Sequence, residues 1–272
     1  MNNLKYLSDK TPFDSSLNPK YFTLAIKNLN NISNIELSII ISLFNKYGVV
    51  LIKQENKNTF DAESLKKYFG EVSFHKKANQ NGVVEISCRN PNSEYLHTSN
   101  EYFPLHTDGA YSEFPEGIVT IYCNMPAEEG GETIIASGKL AYEFVKRKYS
   151  QQIVNLFLSD ALTIERDCES STKPIFMKLN EKRVAIRYRM DGVARIIPNL
   201  NSKQIYKELS YFFANPQNIV TFKITSGDLL VIDNFSVLHG RKSFNQGANR
   251  LFYRLNFVGK NLKNGLLLGF QP

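Results

Sequence analysis

The segment EYFPLHTDGAYSEFPEG, residues 101–117, contains the pair on which the interpretation of the whole chain depends, His106 and Asp108. Positions i and i+2 of an extended segment point to the same face, so this imidazole and this carboxylate can reach one metal ion. A third ligand must come from elsewhere in the chain. His239 lies just after the strand-like run LLVID, residues 229–233. If strands bring His239 opposite the pair, two imidazoles and one carboxylate would bind one face of a metal and leave other positions open, which suits non-haem Fe(II) and oxygen chemistry.

The rest of the chain is dominated by short β-branched and aromatic runs that are typical of strands. We predict strands at 83–88, 117–122, 133–136, 161–165, 183–189, 219–224, 229–232 and 252–257. Helical patterns interrupt them at 139–148 and 202–213. Short strands separated by turn signals predict a mainly β fold with flanking helices, built as a β-sandwich or a jelly roll rather than from βαβ units.

One of these strands carries a period-two pattern. Two sets of residues alternate along it, Val184, Ile186 and Tyr188 against Ala185, Arg187 and Arg189. Such an alternation predicts a strand with one buried face.

The first seventy residues mix helix and strand. Ser33 and Glu36 form the S-x-x-E capping pattern, an apolar periodicity runs on to Tyr47, and Gly48 ends the predicted helix. A strand at 49–52 and a second helix at 61–69 follow, the helix closed by Gly70. No linker divides the chain, so we predict one domain over 1–272: a lead-in at 1–75, a jelly-roll core with a helical insert at 76–260, and a tail at 261–272. The tail could pack on its own domain or on a second subunit of a homo-oligomer.

Composition narrows the functional classes. The chain has 272 residues, of which 42% are hydrophobic and 22% charged, and this balance excludes a disordered, collagen-like or coiled-coil protein. The net charge of +7 is spread over the sequence without an aromatic-interleaved basic stripe, so a nucleic-acid partner is not expected. Glycine-rich phosphate-binding motifs are absent from the sequence, which argues against a nucleotide-binding α/β fold.

The cysteines and the hydropathy pattern bear on location. Cys88, Cys123 and Cys168 are odd in number and contain no CxxC pair, which favours a reducing compartment over a disulfide framework. No apolar run approaches the roughly 18 residues that a bilayer span needs. We therefore expect a cytoplasmic protein without a membrane partner.

Several phrases together resemble one enzyme family. The chain resembles the TauD/TfdA (clavaminate synthase-like) family of Fe(II)- and 2-oxoglutarate-dependent oxygenases. The resemblance lies in four segments, LHTDGAYSEFPEG, GGET, DLLVIDNFSVLHGRKSF and RLFYR. The early stretches YGVVLIKQ and FDAESLKKYFGEV resemble the family's opening strand and helix. The resemblance covers most of the chain and implies a jelly-roll core of the cupin-like double-stranded β-helix type. It also implies a dioxygenase that uses Fe(II), 2-oxoglutarate and O₂ and releases succinate and CO₂.

The resemblance also implies roles for individual residues. His106, Asp108 and His239 would be the catalytic iron ligands. Thr133 and Arg250 would bind the distal carboxylate of 2-oxoglutarate, because an arginine fork and a buried hydroxyl suit a desolvated carboxylate. In halogenases of this type a small residue replaces the aspartate, so Asp108 favours hydroxylation or desaturation.

The substrate side is less defined by the resemblance. Arg254 matches a family arginine that faces the active site, and Tyr102, Tyr111 and Phe114 are further candidate pocket residues. The phrases EYFPLHTDGAY and DNFSVLHGRKSF are similar to the branch that tailors amino-acid-derived metabolites, including the paerucumarin/rhabduscin isonitrile oxygenases of secondary metabolism. A small amino-acid-derived substrate is therefore expected. His75 and His97 match no motif position, and we expect them to be surface or hydrogen-bonding residues.

Four alternatives stay open at this point. The same iron chemistry could act on a sulfonate or another small acid, or on a nucleic acid or protein. The three ligands could instead hold zinc in a hydrolase, although an anion site at Thr133 and Arg250 has no role there. A non-catalytic jelly-roll binding protein is the fourth, but it would be expected to have lost a ligand.

Overall fold

Two stacked β-sheets form the core of the protein, whose structure is a computed structural model describing residues 9–55, 60–87, 99–159, 162–260, 262 and 264–272. The larger sheet has seven strands in the order β1-β2-β14-β6-β16-β3, with β4 also paired to β16. The smaller sheet has four strands in the order β13-β7-β15-β5. The bounds of these strands are β1 Thr23–Ile26, β2 Val49–Gln54, β3 Val72–Ser73, β4 Val83–Ser87, β5 Phe103–His106, β6 Ile118–Met125, β7 Thr133–Ser137, β13 Val220–Phe222, β14 Leu229–Asp233, β15 Val237–Arg241 and β16 Leu251–Phe257.

The apolar core between the sheets draws on both of them. It includes Val49 and Leu51 from the larger sheet and Ile135, Val220 and Val237 from the smaller one. In β2 and β14 the intervening residues point outward and are also buried. Because both faces of these two strands are covered, each of them begins with a continuous apolar run. This arrangement confirms the predicted jelly-roll fold.

Two N-terminal helices cover the outer face of the larger sheet. Helix α1, Asn34–Tyr47, begins at Ser33 with the predicted capping box and ends at Gly48, whose φ of 72° is left-handed. Helix α2, Ala62–Phe69, begins after Asp61 and ends at Gly70. Ile40, Phe44, Leu65 and Phe69 from these helices pack on outward-facing residues such as Val50 and Ile52.

A helical insert covers the outer face of the smaller sheet. It contains α3 Gly138–Tyr149, α4 Gln152–Leu156, α5 Lys203–Ala214 and five further strands, β8 Leu162–Arg166, β9 Glu169–Lys173, β10 Phe176–Asn180, β11 Arg183–Ile186 and β12 Arg195–Pro198. These strands form two small sheets, β12-β8-β9 and β10-β11. None of the helices in the described part of the chain has the length and apolar character to cross a membrane.

The predicted strand at 183–189 needs correction in two respects. Strand β11 ends at Ile186, and residues on both of its faces are buried, Arg187 and Arg189 each being 2% exposed. Burial of Arg187 is possible because its guanidinium donates to the carbonyl oxygens of Ala110, Leu162, Ser171 and Lys173. Peptide carbonyls therefore replace water around this charge, so an arginine in the alternating pattern did not mark an exposed face.

The tail packs on its own domain. Leu266 and Phe270 are buried, and the backbone of Phe270 exchanges two hydrogen bonds with that of Val184. Cys88 and His97, which figured in the sequence analysis, lie outside the described residues, as does Ala161 at the start of one predicted strand.

Candidate active site

The three predicted metal ligands meet at one end of the smaller sheet. His106 is the last residue of β5, His239 lies in the middle of β15, and the two are direct partners in the antiparallel register of these strands. The Nε2 atoms of His106 and His239 lie 3.2 Å and 3.7 Å from Oδ1 of Asp108. All three side chains are buried, and their ligand atoms lie within 4.8 Å of one another. Two imidazoles and a carboxylate in this arrangement fit the facial donor set of a non-haem ferrous ion.

Backbone contacts fix Asp108 beside the histidines. The N–H of Thr107 donates to the carbonyl oxygen of Tyr188 (2.9 Å), and the N–H of Asp108 donates to Oδ1 of Asn234 (2.8 Å). The amide of Asn234 in turn donates to the carbonyl oxygens of Asp108 and Glu116. Asn234, the residue after β14, thus holds the loop that carries the Asp108 carboxylate in place.

The second oxygen of Asp108 is held from β16. Oδ2 accepts hydrogen bonds from Nη1 of Arg254 (2.9 Å) and Nδ2 of Asn256 (3.2 Å). Burial alone would raise the pKa of Asp108, but the charge of the Arg254 guanidinium holds it well below its usual range. Asp108 is therefore ionised, with Oδ1 directed at the histidines.

Both imidazoles are prepared to offer a lone pair. Nδ1 of His106 lies 2.9 Å from the carbonyl oxygen of Pro104, which can only accept, so the ring proton sits on Nδ1 and Nε2 is free to ligate. Burial, with a contribution from the neighbouring His106, lowers the pKa of His239 to about 3. His239 is therefore neutral at physiological pH.

Gly240 allows the two histidine strands to approach. A Cβ atom at this position would lie 2.4 Å from the carbonyl oxygen of Phe103 and 3.0 Å from that of Pro104. The register of β5 and β15 also shifts between His239 and Arg241. The glycine of the HGR phrase is thus required for close contact of the strands at the metal site.

A cavity beside the histidines contains both predicted 2-oxoglutarate residues. Thr133, the first residue of β7, and Arg250, just before β16, line it together with His239. Both are largely buried, and the Arg250 guanidinium stacks on the ring of Phe252 at 3.8 Å. Ile86 and Ile121 complete an apolar wall. A cationic fork and a hydroxyl in such surroundings fit an elongated dicarboxylate with one end at the metal.

A second, polar cleft opens on another side of His106 and Asp108. Its lining includes Tyr111, as predicted for the substrate side, and several residues that the sequence analysis did not assign there, His75, Glu116, Arg166 and Arg189. Arg254 lines both this cleft and the cavity of Arg250. Tyr102 is half exposed and Phe114 is 76% exposed in a separate groove near Lys260, so the structure does not bring these two to the cleft.

His75 was expected at the surface or in a hydrogen bond, and it makes one from within the cleft. Its Nδ1 accepts from the N–H of Lys77 (3.1 Å). Burial, together with the Arg254 charge, lowers its pKa to about 4, so the ring is neutral with its proton on Nε2. Glu116 also lines this cleft, and burial together with the nearby Asp108 raises its pKa.

Comparison with known proteins gives one family match that spans most of the chain. The sequence model described as taurine catabolism dioxygenase TauD, TfdA family matches residues 10–256. This match confirms the family resemblance that the HTD, GGET and HGR phrases predicted.

Individual relatives are more distant. Gamma-butyrobetaine dioxygenase of Homo sapiens is 27% identical over 156 residues, which are 53% of this chain and 40% of the relative, so the match spans less than half of that protein. Tyrosine isonitrile desaturase of Pseudomonas aeruginosa is 26% identical over 223 residues, 72% of each chain.

Solved structures share the fold. The crystal structure of PvcB from Pseudomonas aeruginosa superposes with a TM-score of 0.63 at 22% identity and covers 94% of both chains. A second structure of PvcB, described as an Fe, alpha-ketoglutarate dependent oxygenase from an isonitrile synthetic pathway, gives a TM-score of 0.61 at 21% identity over 87% of this chain and 86% of the other. A taurine dioxygenase of Burkholderia xenovorans gives 0.65 at 19% identity over 88% of both chains. At these identities the likeness establishes a common jelly-roll architecture.

Proposed function

The chain belongs to the TauD/TfdA dioxygenase family, and from that premise we propose that it is an Fe(II)- and 2-oxoglutarate-dependent oxygenase that hydroxylates or desaturates a small, amino-acid-derived metabolite. The observation that carries the proposal is the convergence of His106, Asp108 and His239, whose ligand atoms lie within 4.8 Å of one another. Two neutral imidazoles and one ionised carboxylate are the donors that a ferrous site of this type needs.

The cosubstrate site is proposed from the cavity next to this triad. Arg250 would pair with the distal carboxylate of 2-oxoglutarate and Thr133 would donate a hydrogen bond to it, while the 2-oxo acid end reaches the metal beside His239. When bound, iron, 2-oxoglutarate and O₂ supply oxidative decarboxylation to succinate and CO₂ and the oxidising power to remove hydrogen from a C–H bond. The apolar wall of Ile86 and Ile121 keeps this end of the site dry.

The chain's own contribution is to orient the ligands. Arg254 and Asn256 hold Oδ2 of Asp108 at 2.9 Å and 3.2 Å, so only Oδ1 faces the histidines. The carbonyl oxygen of Pro104 fixes the tautomer of His106. Such partners of metal ligands commonly change metal affinity by 10- to 100-fold when removed.

The proposed substrate class is supported by two comparisons of different kinds. A sequence relative is named for a tyrosine isonitrile, and a structural neighbour is assigned to an isonitrile synthetic pathway. An amino-acid-derived isonitrile is therefore the first candidate substrate. A sulfonate or another small acid is the next, because a taurine dioxygenase shares the fold.

We further propose that the enzyme acts in the cytoplasm on a freely diffusing small molecule rather than on a nucleic acid or a membrane component. The free thiols of Cys123 and Cys168 support a reducing compartment. Cell fractionation would test the compartment, and size-exclusion chromatography would test whether the chain forms a homo-oligomer.

The proposal is tested by an anaerobic titration with Fe(II) and 2-oxoglutarate, followed by admission of O₂ and measurement of succinate. We expect stoichiometric binding of one ferrous ion and of one 2-oxoglutarate that depends on it, and succinate release that rises when a suitable amino-acid derivative is added. An enzyme that forms no succinate under any of these conditions would contradict the proposal.

A further inference from the structure

The polar cleft contains two guanidinium groups close to one aromatic ring. Cζ of Arg189 lies 5.5 Å from the ring centroid of Tyr111, and Cζ of Arg166 lies 5.9 Å from it. All three side chains line the cleft together with His106 and Asp108. Neither arginine takes part in the iron or 2-oxoglutarate sites proposed above.

The backbone places Arg189 directly beside the metal ligands. Its neighbour Tyr188 accepts the N–H of Thr107 through its carbonyl oxygen and donates its own N–H to Oγ1 of Thr107. Thr107 is the residue between His106 and Asp108. The Arg189 side chain also lines the cleft together with His106 and Asp108. Any group bound at Arg189 would therefore lie next to the metal.

Arg189 is buried with unused hydrogen-bonding capacity. Its residue is 2% exposed, its Nη2 contacts Oδ2 of Asp191, and its Nε has no hydrogen-bond partner among the residues that the structure describes. A buried N–H without a partner costs free energy, and a ligand acceptor would recover it.

Among the described residues, the carboxylates near the cleft do not accept hydrogen bonds from all the N–H groups of Arg189. Oδ1 of Asp191 accepts from the N–H groups of Val193 and Ala194, so only Oδ2 faces Arg189, and the same atom lies 3.6 Å from Nη1 of Arg166. Asp108 is held by Arg254 and Asn256. Nε of Arg166 also lies 3.6 Å from Oδ2 of Asp167. Arg189 shares Oδ2 of Asp191 with Arg166 and keeps an Nε without a partner in the described part of the chain, which favours an additional oxyanion at Arg189.

We propose that Arg189 is the specificity-determining residue of this cleft and binds an oxyanion of the substrate, a carboxylate or a sulfonate, with Arg166 as the second positive group. The proposal rests on the proposed oxygenase function and narrows its substrate to an acid. Arg254 is nearer to the metal, but its Nη1 is committed to Asp108. Arg189 is therefore the arginine that anchors the substrate's anionic end while its C–H bonds face the metal.

The test uses matched acids and amides on the protein loaded anaerobically with Fe(II) and 2-oxoglutarate. The probes are the N-formyl derivatives of tyrosine, phenylalanine, leucine and methionine as free acids, the primary amide of each, and the sulfonates taurine and N-formyltaurine. Dissociation constants come from calorimetry, and succinate release is measured separately after O₂ is admitted. We expect at least one free acid to bind roughly 30- to 100-fold more tightly than its primary amide, because a site built around charged donors rejects an analogue that lacks the anionic acceptor.

Substitutions at the two arginines distinguish recognition of the substrate oxyanion from a purely structural role. Arg189→Gln should reduce the acid's affinity by roughly 30- to 100-fold and leave the amide within about threefold of wild type, so the acid-to-amide ratio collapses. Arg166→Gln should reduce the ratio less. Arg189→Lys, which keeps the charge but loses the planar fork, should fall between wild type and Arg189→Gln and covers the case in which the glutamine variant does not fold. The matched control is Arg195→Gln, which removes an exposed arginine that pairs with Glu165 across β8 and β12 and should leave the ratio unchanged.

Each outcome decides the question. A collapsed ratio in Arg189→Gln supports the proposal, and the better of the carboxylate and sulfonate probes identifies the oxyanion. The proposal is overturned if amides bind as well as acids, if no acid or sulfonate binds, or if Arg189→Gln weakens acid and amide equally, as a purely structural role requires. Failure of the oxygenase function would instead appear as absence of succinate from every probe, whatever the binding ratios.

Discussion

His106 and His239 are register partners in the antiparallel pair of β5 and β15, and their ring centroids lie 4.5 Å apart. Residues 133 positions apart in the chain are thereby fixed by backbone pairing rather than by flexible loops. Sites built on strands hold their ligands more rigidly than sites built on loops. The spacing of the two histidines is therefore a property of the smaller sheet and should persist when one ligand is removed. Asp108 is fixed beside them by hydrogen bonds with residues in and next to the larger sheet.

The first prediction follows from that rigidity. Asp108→Ala and His239→Ala should each reduce Fe(II)-dependent succinate formation by more than roughly 100-fold, because two ligands cannot hold the ion with the required geometry. The circular dichroism spectrum should remain that of the wild type. Glu181→Ala, at an exposed position in the turn after β10, is the control and should keep full activity. Normal turnover by His239→Ala would show that the ligand assignment is wrong.

The second prediction concerns the cosubstrate cavity. Arg250→Ala should raise the KM for 2-oxoglutarate by roughly 30-fold or more, whereas Thr133→Val should raise it by about fivefold, since a charged fork contributes more than one neutral hydrogen bond. Initial rates of succinate formation at varied 2-oxoglutarate measure both. Arg195→Ala should leave the KM unchanged. An unaltered KM in Arg250→Ala would place the cosubstrate elsewhere.

The third prediction tests the close approach of the histidine strands. Gly240→Ala should lower the free energy of unfolding by about 2–4 kcal/mol, because the added Cβ would lie 2.4 Å from the carbonyl oxygen of Phe103. The same change should weaken Fe(II) binding by separating His106 from His239. Gly247→Ala is the matched control: its φ is 82° and no atom of the described residues lies within 4 Å of the added Cβ, so it should cost only about 1 kcal/mol of backbone strain and leave iron binding intact. Equal effects in both variants would argue against the contact.

The fourth prediction concerns the buried Arg187 that joins the insert to the core. Arg187→Met should destabilise the fold by about 3–5 kcal/mol, because the carbonyl oxygens of Ala110, Leu162, Ser171 and Lys173 would lose a charged donor. Urea denaturation measures the change. Arg195→Met, at the surface, should stay within about 0.5 kcal/mol of the wild type. A similarly small effect at Arg187 would mean that water replaces the guanidinium.

Local sequence patterns were sufficient to predict those elements whose ends or burial depend on neighbouring residues alone. The capping box at Ser33 and Glu36 and the terminal Gly48 fixed the bounds of α1, and continuous apolar runs located β2 and β14. The HxD spacing placed two metal ligands together. The third ligand depended on a long-range pairing that no local pattern reports.

Other parts of the fold could not be predicted from local patterns. Strands β5 and β15 are short and contain His, Pro, Gly and Arg, which are not typical of strands, so pairing with neighbours determines their conformation. The cleft residues Arg166 and Arg189 come from the insert. Their position depends on how the insert packs against the segment of His106 to Asp108, and no local sequence pattern reports such a long-range contact. Asn256 had a usable signal: it lies two positions after Arg254 in a strand, so both side chains point to the same face, and both hold Asp108.

The most direct test of the central claim is a crystal structure of the protein grown anaerobically with Fe(II) and 2-oxoglutarate. The account predicts one ferrous ion bound by Nε2 of His106, Oδ1 of Asp108 and Nε2 of His239, with the distal carboxylate of 2-oxoglutarate paired to Arg250 and Thr133. Iron bound through other residues, or a cosubstrate that leaves Arg250 untouched, would contradict it.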